Sequence, residues 1–470
     1  MVFSSPLFLF AYLPAVLGLY FLASKRLKNA VLLAASLLFY LVGAGGYILL
    51  LFFSIGTNYF IGRGIPAAKP FGRKVLMITA IATNAVPLLV YKYAAFGATS
   101  VNAVSSWLGH TVTLPIPEFF LPAGISFFTF QGLAYVVDVY RGEVEPCRSL
   151  LDFALFKAFF PQLVAGPIVR YHDLARELSS RRHSLDSTVS GLERFGFGLA
   201  KKVLIADSLG KVADSIFGAS QSEWSTTNAW LALVCYSMQI FFDFSGYSDM
   251  AIGLGRICGL SLPENFRQPY TSTSITEFWR RWHISLSSWF RDYLYIPMGG
   301  NRAGMARTGF NLLVVFALCG LWHGANVSFL LWGLFHGFLL VAERVAKQVW
   351  GLSPSGLIGW AYSLFSVMLG WVFFRSPSLP LAGDFFRALF GSGDANPVFP
   401  TSHHLSANVM FFLLVGVVAA LWPAKITTES KPEAVGAWTK MRPWAALILC
   451  GLAVISQAPE SFNPFIYFQF

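Results

Sequence analysis

Long apolar runs follow one another along this chain with few charges between them. Residues 6–24 form the first run, and Lys25, Arg26 and Lys28 follow it. A cleaved secretory leader carries its positive charge ahead of the apolar stretch, so this run reads as a retained first helix with its N-terminus outside. Residues 29–62 then carry no charge at all. As one helix they would reach about 50 Å, against a hydrocarbon core of about 30 Å. Gly43, Gly45 and Gly46 sit in the middle and predict a turn, hence two short helices or one re-entrant hairpin. Arg63, Lys69, Arg73 and Lys74 make a second basic loop. Placing both basic loops in the cytoplasm requires an even number of crossings between them.

Further apolar segments run over 75–96, 119–137, 150–169, 195–210, 229–258, 309–342, 356–374, 409–423 and 444–457. They are long and not strictly alternating, which predicts helices; a lipid-embedded barrel shows alternating segments of ~10 residues instead. The pattern predicts an all-α polytopic membrane protein with about ten to twelve spans plus re-entrant pieces. The polar stretches near 171–190 and 425–442 are too short for a soluble core, so 1–470 reads as one integral-membrane domain.

Composition narrows the function classes. Charged residues make up 12% of the 470-residue chain and hydrophobic ones 55%. A soluble domain carries about 25% charged residues. That excludes an ordinary cytosolic enzyme, a disordered chain and a nucleic-acid module. The net charge of +11 is read through the positive-inside rule and calls for no nucleic-acid partner. The five cysteines are scattered without metal-type spacing, so no metal site and no disulfide framework is expected.

Three segments carry candidate chemistry. Residues 275–293 read ITEFWRRWHISLSSWFRDY. On one helical wheel Ile275, Phe278, Trp279, Trp282, Leu286, Trp289, Phe290 and Tyr293 fall within an arc of about 120°. Glu277, Arg280, Arg281 and Arg291 fall opposite, which predicts a basic amphipathic helix at the membrane surface with His283 at its border. Arg280 and Arg281, with Arg267, Arg291 and Arg302, make a positive collar. It suits lipid headgroups or the phosphates of an anionic donor.

Residues 308–342 contain no Asp, Glu, Lys or Arg, and His323 lies near their centre. An ionisable group at that depth is a functional candidate. If the segment stays helical, Leu312, Phe316, Cys319, Asn326 and Leu330 share its face, and Asn326 is a hydrogen-bond partner for the imidazole. A break at Gly324 would spoil that geometry. Cys319 reads as a small packer rather than a nucleophile. His336 points away and reads as a helix–helix hydrogen bond.

In YSMQIFFDFSGYSDMAIGLG, Gln239, Asp243 and Tyr247 share a stripe at helical spacing, with Asp249 nearby. Such groups must pair or line a cavity, and pairing with an arginine is the simpler reading. Lys157, Lys201 and Lys202 beside apolar runs read as snorkelling.

Together these segments resemble the membrane-bound O-acyltransferases. The resemblance rests on RRWHISLSSWFRDYLYIPMGGNR followed by LCGLWHGANVSFLLWGLFHG. FDFSGYSDMAIGLG, MVFSS, LPAGISFFTFQ, YVVDVYRG, LVAGPIVR and FIYFQF look like the bacterial alginate O-acetylation branch. Cellulose- and peptidoglycan-acetylating proteins share the pattern, and the teichoic-acid D-alanylation protein is a more distant relative. The resemblance covers essentially the whole chain, with its core motifs within 229–342. It implies a ring of tilted helices around a thin tunnel. It implies His323 as the catalytic histidine and His283 as its companion. The activity it implies is transfer of an acetyl group from a cytoplasmic thioester, acetyl-CoA, with no bound cofactor. Transfer proceeds across the bacterial inner membrane, through a periplasmic acetyl-relay or acetyltransferase protein, to a polysaccharide. Arg280, Arg281 and Trp279 would then bind the donor, and Asp243, Asp249, Gln239 and Asn326 would order the tunnel. The region 376–408 is more idiosyncratic and suits partner contact. Without the resemblance, a transporter of a polar solute with Asp243, Asp249 and His323 on its path stays open. So does a non-catalytic scaffold of a polysaccharide export complex.

Overall fold

The computed structural model describes residues 2–110, 113–302, 304–391, 399–422 and 437–457. The FIYFQF motif, residues 425–436 of the second polar stretch and residues 392–398 of the idiosyncratic region lie outside the described residues. Five helical stretches among the described residues are long and apolar enough to cross a membrane: Lys28–Gly64, Pro70–Trp107, Gly304–His323, Val327–Trp350 and Gly356–Arg375. Shorter apolar helices run over Phe8–Leu22, Ala407–Leu421 and Met441–Gln457. The fold is all-α and polytopic. The chain divides into two compact units, residues Met1–Thr188 with Leu254–Pro263, and Val189–Gly253 with Glu264–Phe470.

In the first unit the uncharged stretch after Lys28 is broken where the glycines predict. Helices Lys28–Ala44 and Ile48–Gly64 meet at a tight turn over Gly45–Tyr47. Gly45 has φ +56, a conformation that costs other residues a Cβ clash. Each helix is 17 residues long, or about 25 Å. Inside this unit Lys157 does not snorkel. Its side chain is fully buried, and Nζ donates to Ser54 Oγ at 2.8 Å and to the Phe128 carbonyl at 2.7 Å. Beside it Asn58 and Asn84 exchange amide hydrogen bonds at 3.1 and 2.9 Å. The amine turns inward because backbone and side-chain acceptors there replace the water it would otherwise seek.

The second unit is organised around two close helix crossings. Helix Thr226–Ile257 approaches helix Leu185–Ala200 at Gly246 and Gly198, where a Cβ on either residue would meet the other's carbonyl oxygen at 2.6–2.7 Å. The uncharged stretch 308–342 is a helical hairpin, Gly304–His323 then Val327–Trp350. Its arms touch at Gly320 and Gly333, and a Cβ at Gly333 would come within 2.1 Å of the Phe316 carbonyl oxygen. Small residues permit such backbone approach between membrane helices, where tight packing must replace the hydrophobic drive.

The expected surface helix over 275–293 is not formed. Helix Ile275–Arg281 ends at Trp282, which is extended, and His283 adopts the left-handed conformation at φ +44. A second helix, Ile284–Phe290, follows, and a wider turn covers Arg291–Tyr295. The aromatic side chains of the predicted lipid-facing arc point into protein instead. Trp282 is buried and packs on Phe278, Tyr270 and Trp371 at ring separations of 5.5, 6.1 and 5.1 Å. Buried Glu343, from helix Val327–Trp350, accepts from the backbone N–H of Ile275 at 2.6 Å and of Thr276 at 3.0 Å. A carboxylate on these otherwise unsatisfied donors anchors the short helix against the hairpin.

Candidate active site

His323 is the last residue of its helix, not the middle of a single span. The stretch of low charge was long enough for two antiparallel helices, and Gly324 ends the first. The imidazole is 5% exposed and boxed by three aromatic rings. Trp322, Trp332 and Phe374 lie at 4.9, 5.0 and 5.2 Å, each nearly edge-on. Phe374 comes from helix Gly356–Arg375, so three helices define the position of one ring.

Asn326 does not join this face. It caps the next helix, its Oδ1 accepting from Ser328 N–H at 3.1 Å while its amide donates to the Pro377 carbonyl at 2.8 Å. An asparagine just outside a helix start has unsatisfied backbone N–H groups within reach, and these take its oxygen. The break at Gly324 thus removes it from the His323 face that a continuous helix would have given it.

His283 also packs against Trp322, with its ring 6.1 Å from the indole. Two histidines 40 positions apart in sequence therefore contact one tryptophan. Phe244, from helix Thr226–Ile257, packs edge-on against His283 at 4.6 Å. The side chain is 0% exposed, and burial pushes its imidazole down to about 3, so the ring is neutral throughout the physiological range.

Its tautomer is set by Asn265, a residue the helical-wheel reading missed because it lies outside the amphipathic stretch. Asn265 Oδ1 accepts from the backbone N–H of Ser285 at 3.2 Å and from its hydroxyl at 2.9 Å. The amide nitrogen donates to Ser248 Oγ at 3.2 Å. The atom facing His283 Nδ1 at 3.1 Å is thus an acceptor, and Nδ1 carries the proton. Nε2 then holds a lone pair and accepts rather than donates. Nε2 in this tautomer has no N–H to offer a developing oxyanion. Asn265→Ala is expected to free the tautomer and to cost about 10- to 100-fold in transfer rate, as loss of an imidazole-orienting partner does. Imidazole nitrogen NMR should show the Nδ1–H form retained in wild type and lost in Asn265→Ala. An unchanged spectrum would remove Asn265 from this role.

Helix Thr226–Ile257 presents its polar stripe as expected, with Gln239, Asp243 and Tyr247 all buried. Asp243 pairs with Lys202 at 2.8 Å, and Lys202 also donates to Asp207 at 2.8 Å. Lys202 is therefore a buried counter-ion and not a snorkelling side chain. Asp249 pairs with Arg194 at 2.8 Å and with Lys201 at 2.6 Å, and Arg194 extends the chain of charges to Glu264. Gln239 packs over Gly210, and its Oε1 has no hydrogen-bond partner among the described residues.

The basic collar divides. Arg281 is committed within the protein, to Glu277 at 2.5 Å and Thr271 Oγ1 at 2.8 Å. Arg291 pairs with its neighbour Asp292 at 2.6 Å. Arg280 is exposed and makes no ion pair among the described residues. Trp279 is buried, and its indole N–H donates to His336 Nδ1 at 3.4 Å. That bond joins helices Ile275–Arg281 and Val327–Trp350, the helix–helix role expected of His336.

The profile of the MBOAT, membrane-bound O-acyltransferase family matches residues 147–377, which include both histidines and their aromatic surroundings. The chain is 41% identical to "Probable alginate O-acetylase AlgI" of Pseudomonas putida, over 100% of both chains. The chain belongs to the membrane-bound O-acyltransferase family. It is an O-acyltransferase and a multi-pass membrane protein. A second relative of the same name, from Pseudomonas syringae pv. tomato, is 46% identical over 84% of this chain and 76% of its own. The "Peptidoglycan O-acetyltransferase" of Helicobacter pylori is 37% identical over 83% of this chain and 80% of its own. Within the acyltransferase the family match spans the hairpin, the broken 275–295 segment and the charged stripe.

Proposed function

We propose that this acyltransferase takes an acetyl group from a cytoplasmic thioester, acetyl-CoA, for O-acetylation of an exopolysaccharide or cell-wall polymer. The reaction serves the far side of the bacterial inner membrane through a periplasmic relay or acetyltransferase partner, and the N-terminus faces the periplasm. The observation that carries the reading is the placement of two imidazoles, His283 and His323, against one tryptophan, Trp322. It is supported by relatives whose names specify acetylation of alginate and of peptidoglycan.

In this reading His323 is the general base. It takes the proton of the acceptor hydroxyl as the oxygen attacks the thioester carbonyl carbon. The tetrahedral intermediate collapses with cleavage of the carbon–sulfur bond. The departing thiolate receives the proton, leaving the O-acetyl ester and the free thiol. His283, with its lone pair on Nε2, orients an incoming hydroxyl or donor N–H. Asp243 and Asp249 hold the wall through their ion pairs. Of the collar, Arg280 is exposed and open to donor phosphates, while Arg281 shapes the loop that presents it.

Purified protein in nanodiscs, given acetyl-CoA labelled on the acetyl group, tests this reading. Label should pass to a periplasmic-side acceptor in wild type. Absence of transfer to every acceptor from folded protein would instead favour the transporter or scaffold. Arg280→Ala is expected to raise the KM for acetyl-CoA by about three- to tenfold with little change in kcat, as loss of one exposed charge contact does. An unchanged KM would remove Arg280 from donor binding.

A further inference from the structure

Positive charge converges at the head of helix Lys28–Ala44 in the first unit, where the acyl-transfer reading has no use for it. Tyr20 organises it. Its hydroxyl donates to the Cys258 carbonyl at 2.7 Å, which leaves only its lone pairs for other partners. It accepts from Arg181 Nη1 at 3.2 Å and lies 3.2 Å from His183 Nε2. Lys28 Nζ donates to the Tyr20 carbonyl at 3.2 Å and sits 4.1 Å from the centre of the Tyr20 ring.

The opposite edge of Arg181 is the informative part. Nε and Nη2 are sealed from solvent and have no hydrogen-bond partner among the described residues. That pair of N–H groups is the planar fork that matches two oxygens of a carboxylate or phosphate. Buried donors are nearly always satisfied, and a desolvated guanidinium asks for an anion. Neighbouring carboxylates are engaged elsewhere. Asp152 accepts from Asn29 at 2.5 Å, and Glu177 accepts from Ser261 N–H at 2.6 Å. Burial, then the charges of Lys28 and Arg181, push the His183 imidazole down, as expected where positive charge is in excess.

The rim is apolar. Phe21, Leu22 and Leu27 are exposed, Leu22 by 88%, and Lys28 Nζ lies 5.3 Å from the Phe21 ring. A basic fork beside apolar side chains fits an amphiphile with an anionic head. We propose that Lys28, Arg181 and His183, organised by Tyr20, form a site for a phosphate group, carried by an anionic phospholipid or taken up as free phosphate. Lys28 is half-buried, its ammonium held over the Tyr20 ring on the same side chain that binds Arg181.

The test uses full-length protein in nanodiscs of phosphatidylcholine alone or with added phosphatidylglycerol. Bound phosphatidylglycerol is read by native mass spectrometry and the unfolding midpoint by heating. Wild type should retain phosphatidylglycerol, and Lys28→Gln/Arg181→Gln should lose about tenfold in retention, as removal of two lipid-facing cations predicts. Lys25→Gln/Arg26→Gln removes the same charge from exposed neighbours and should change little. Equal loss in both pairs would mean diffuse attraction and overturn the site, as would equal retention in all together with no rise of the wild-type midpoint on adding phosphate. Arg181→Lys keeps the charge without the fork and serves should the glutamine variants unfold; undiminished retention there overturns the proposal. Inorganic phosphate added to the phosphatidylcholine discs separates the sources. A raised midpoint in wild type but not in Lys28→Gln/Arg181→Gln assigns the site to free phosphate, and no rise alongside specific lipid retention assigns it to the headgroup.

Discussion

Acetyl transfer is expected to fall by about two to four orders of magnitude when His323 is replaced by alanine or glutamine, the usual contribution of a positioned general base. The two variants separate chemistry from packing. Alanine empties a box whose walls are Trp322, Trp332 and Phe374, and a cavity of that kind destabilises by about 2–5 kcal/mol. Glutamine nearly fills the box and keeps hydrogen-bonding capacity, but it cannot accept a proton at neutral pH. If His323 is the base, both variants lose transfer while His323→Gln keeps its unfolding midpoint near that of wild type. If the ring only packs, activity follows stability, and His323→Gln transfers label as wild type does. Labelled transfer in nanodiscs, measured beside thermal unfolding in detergent, distinguishes the two.

Much of the architecture was readable along the chain because membrane helices announce themselves by length and apolarity. Gly45 broke the uncharged stretch after Lys28 at the expected place, since a left-handed turn needs a residue without a Cβ. The errors share one physical cause. Periodicity reports which faces are apolar but not what covers them. The arc from Ile275 to Tyr293 looked like a lipid-facing surface, yet Trp282 and Phe278 stack against other aromatic rings, and the helix breaks at Trp282 and His283. A left-handed histidine has no signature in hydropathy. Lys157 and Lys202 looked like snorkelling cations because Ser54 and Asp243, which receive them, lie far away in sequence on other helices. The Asn326 capping role was hidden by the continuity of the apolar run, although Gly324 marked the point of risk. Asn265 was missed because what matters about it is geometric: one oxygen receives Ser285 and His283 together.

Lys202→Met is expected to destabilise the protein by about 3–5 kcal/mol, the range for removing one partner from a buried ion pair. Lys202 is 3% exposed and stands between Asp207 and Asp243, 2.8 Å from each. Without its ammonium, two carboxylates remain in a poorly solvating site with like charge on like charge, and folding must protonate or hydrate them. Lys202→Met/Asp207→Asn/Asp243→Asn removes all three charges and should recover most of the loss, because a neutral buried cluster costs little once no charge is stranded. Urea or thermal unfolding in detergent reads both variants. A Lys202→Met protein as stable as wild type would mean that the amine reaches water after all. The pair also bears on the chemistry. Asp243 immediately precedes Phe244, whose ring packs edge-on against His283 at 4.6 Å. The ion pair thus pins the helical turn that walls one of the two histidines. Transfer activity should fall in Lys202→Met and return with stability in the triple variant. Return of stability without activity would instead give the charges themselves a part in the reaction.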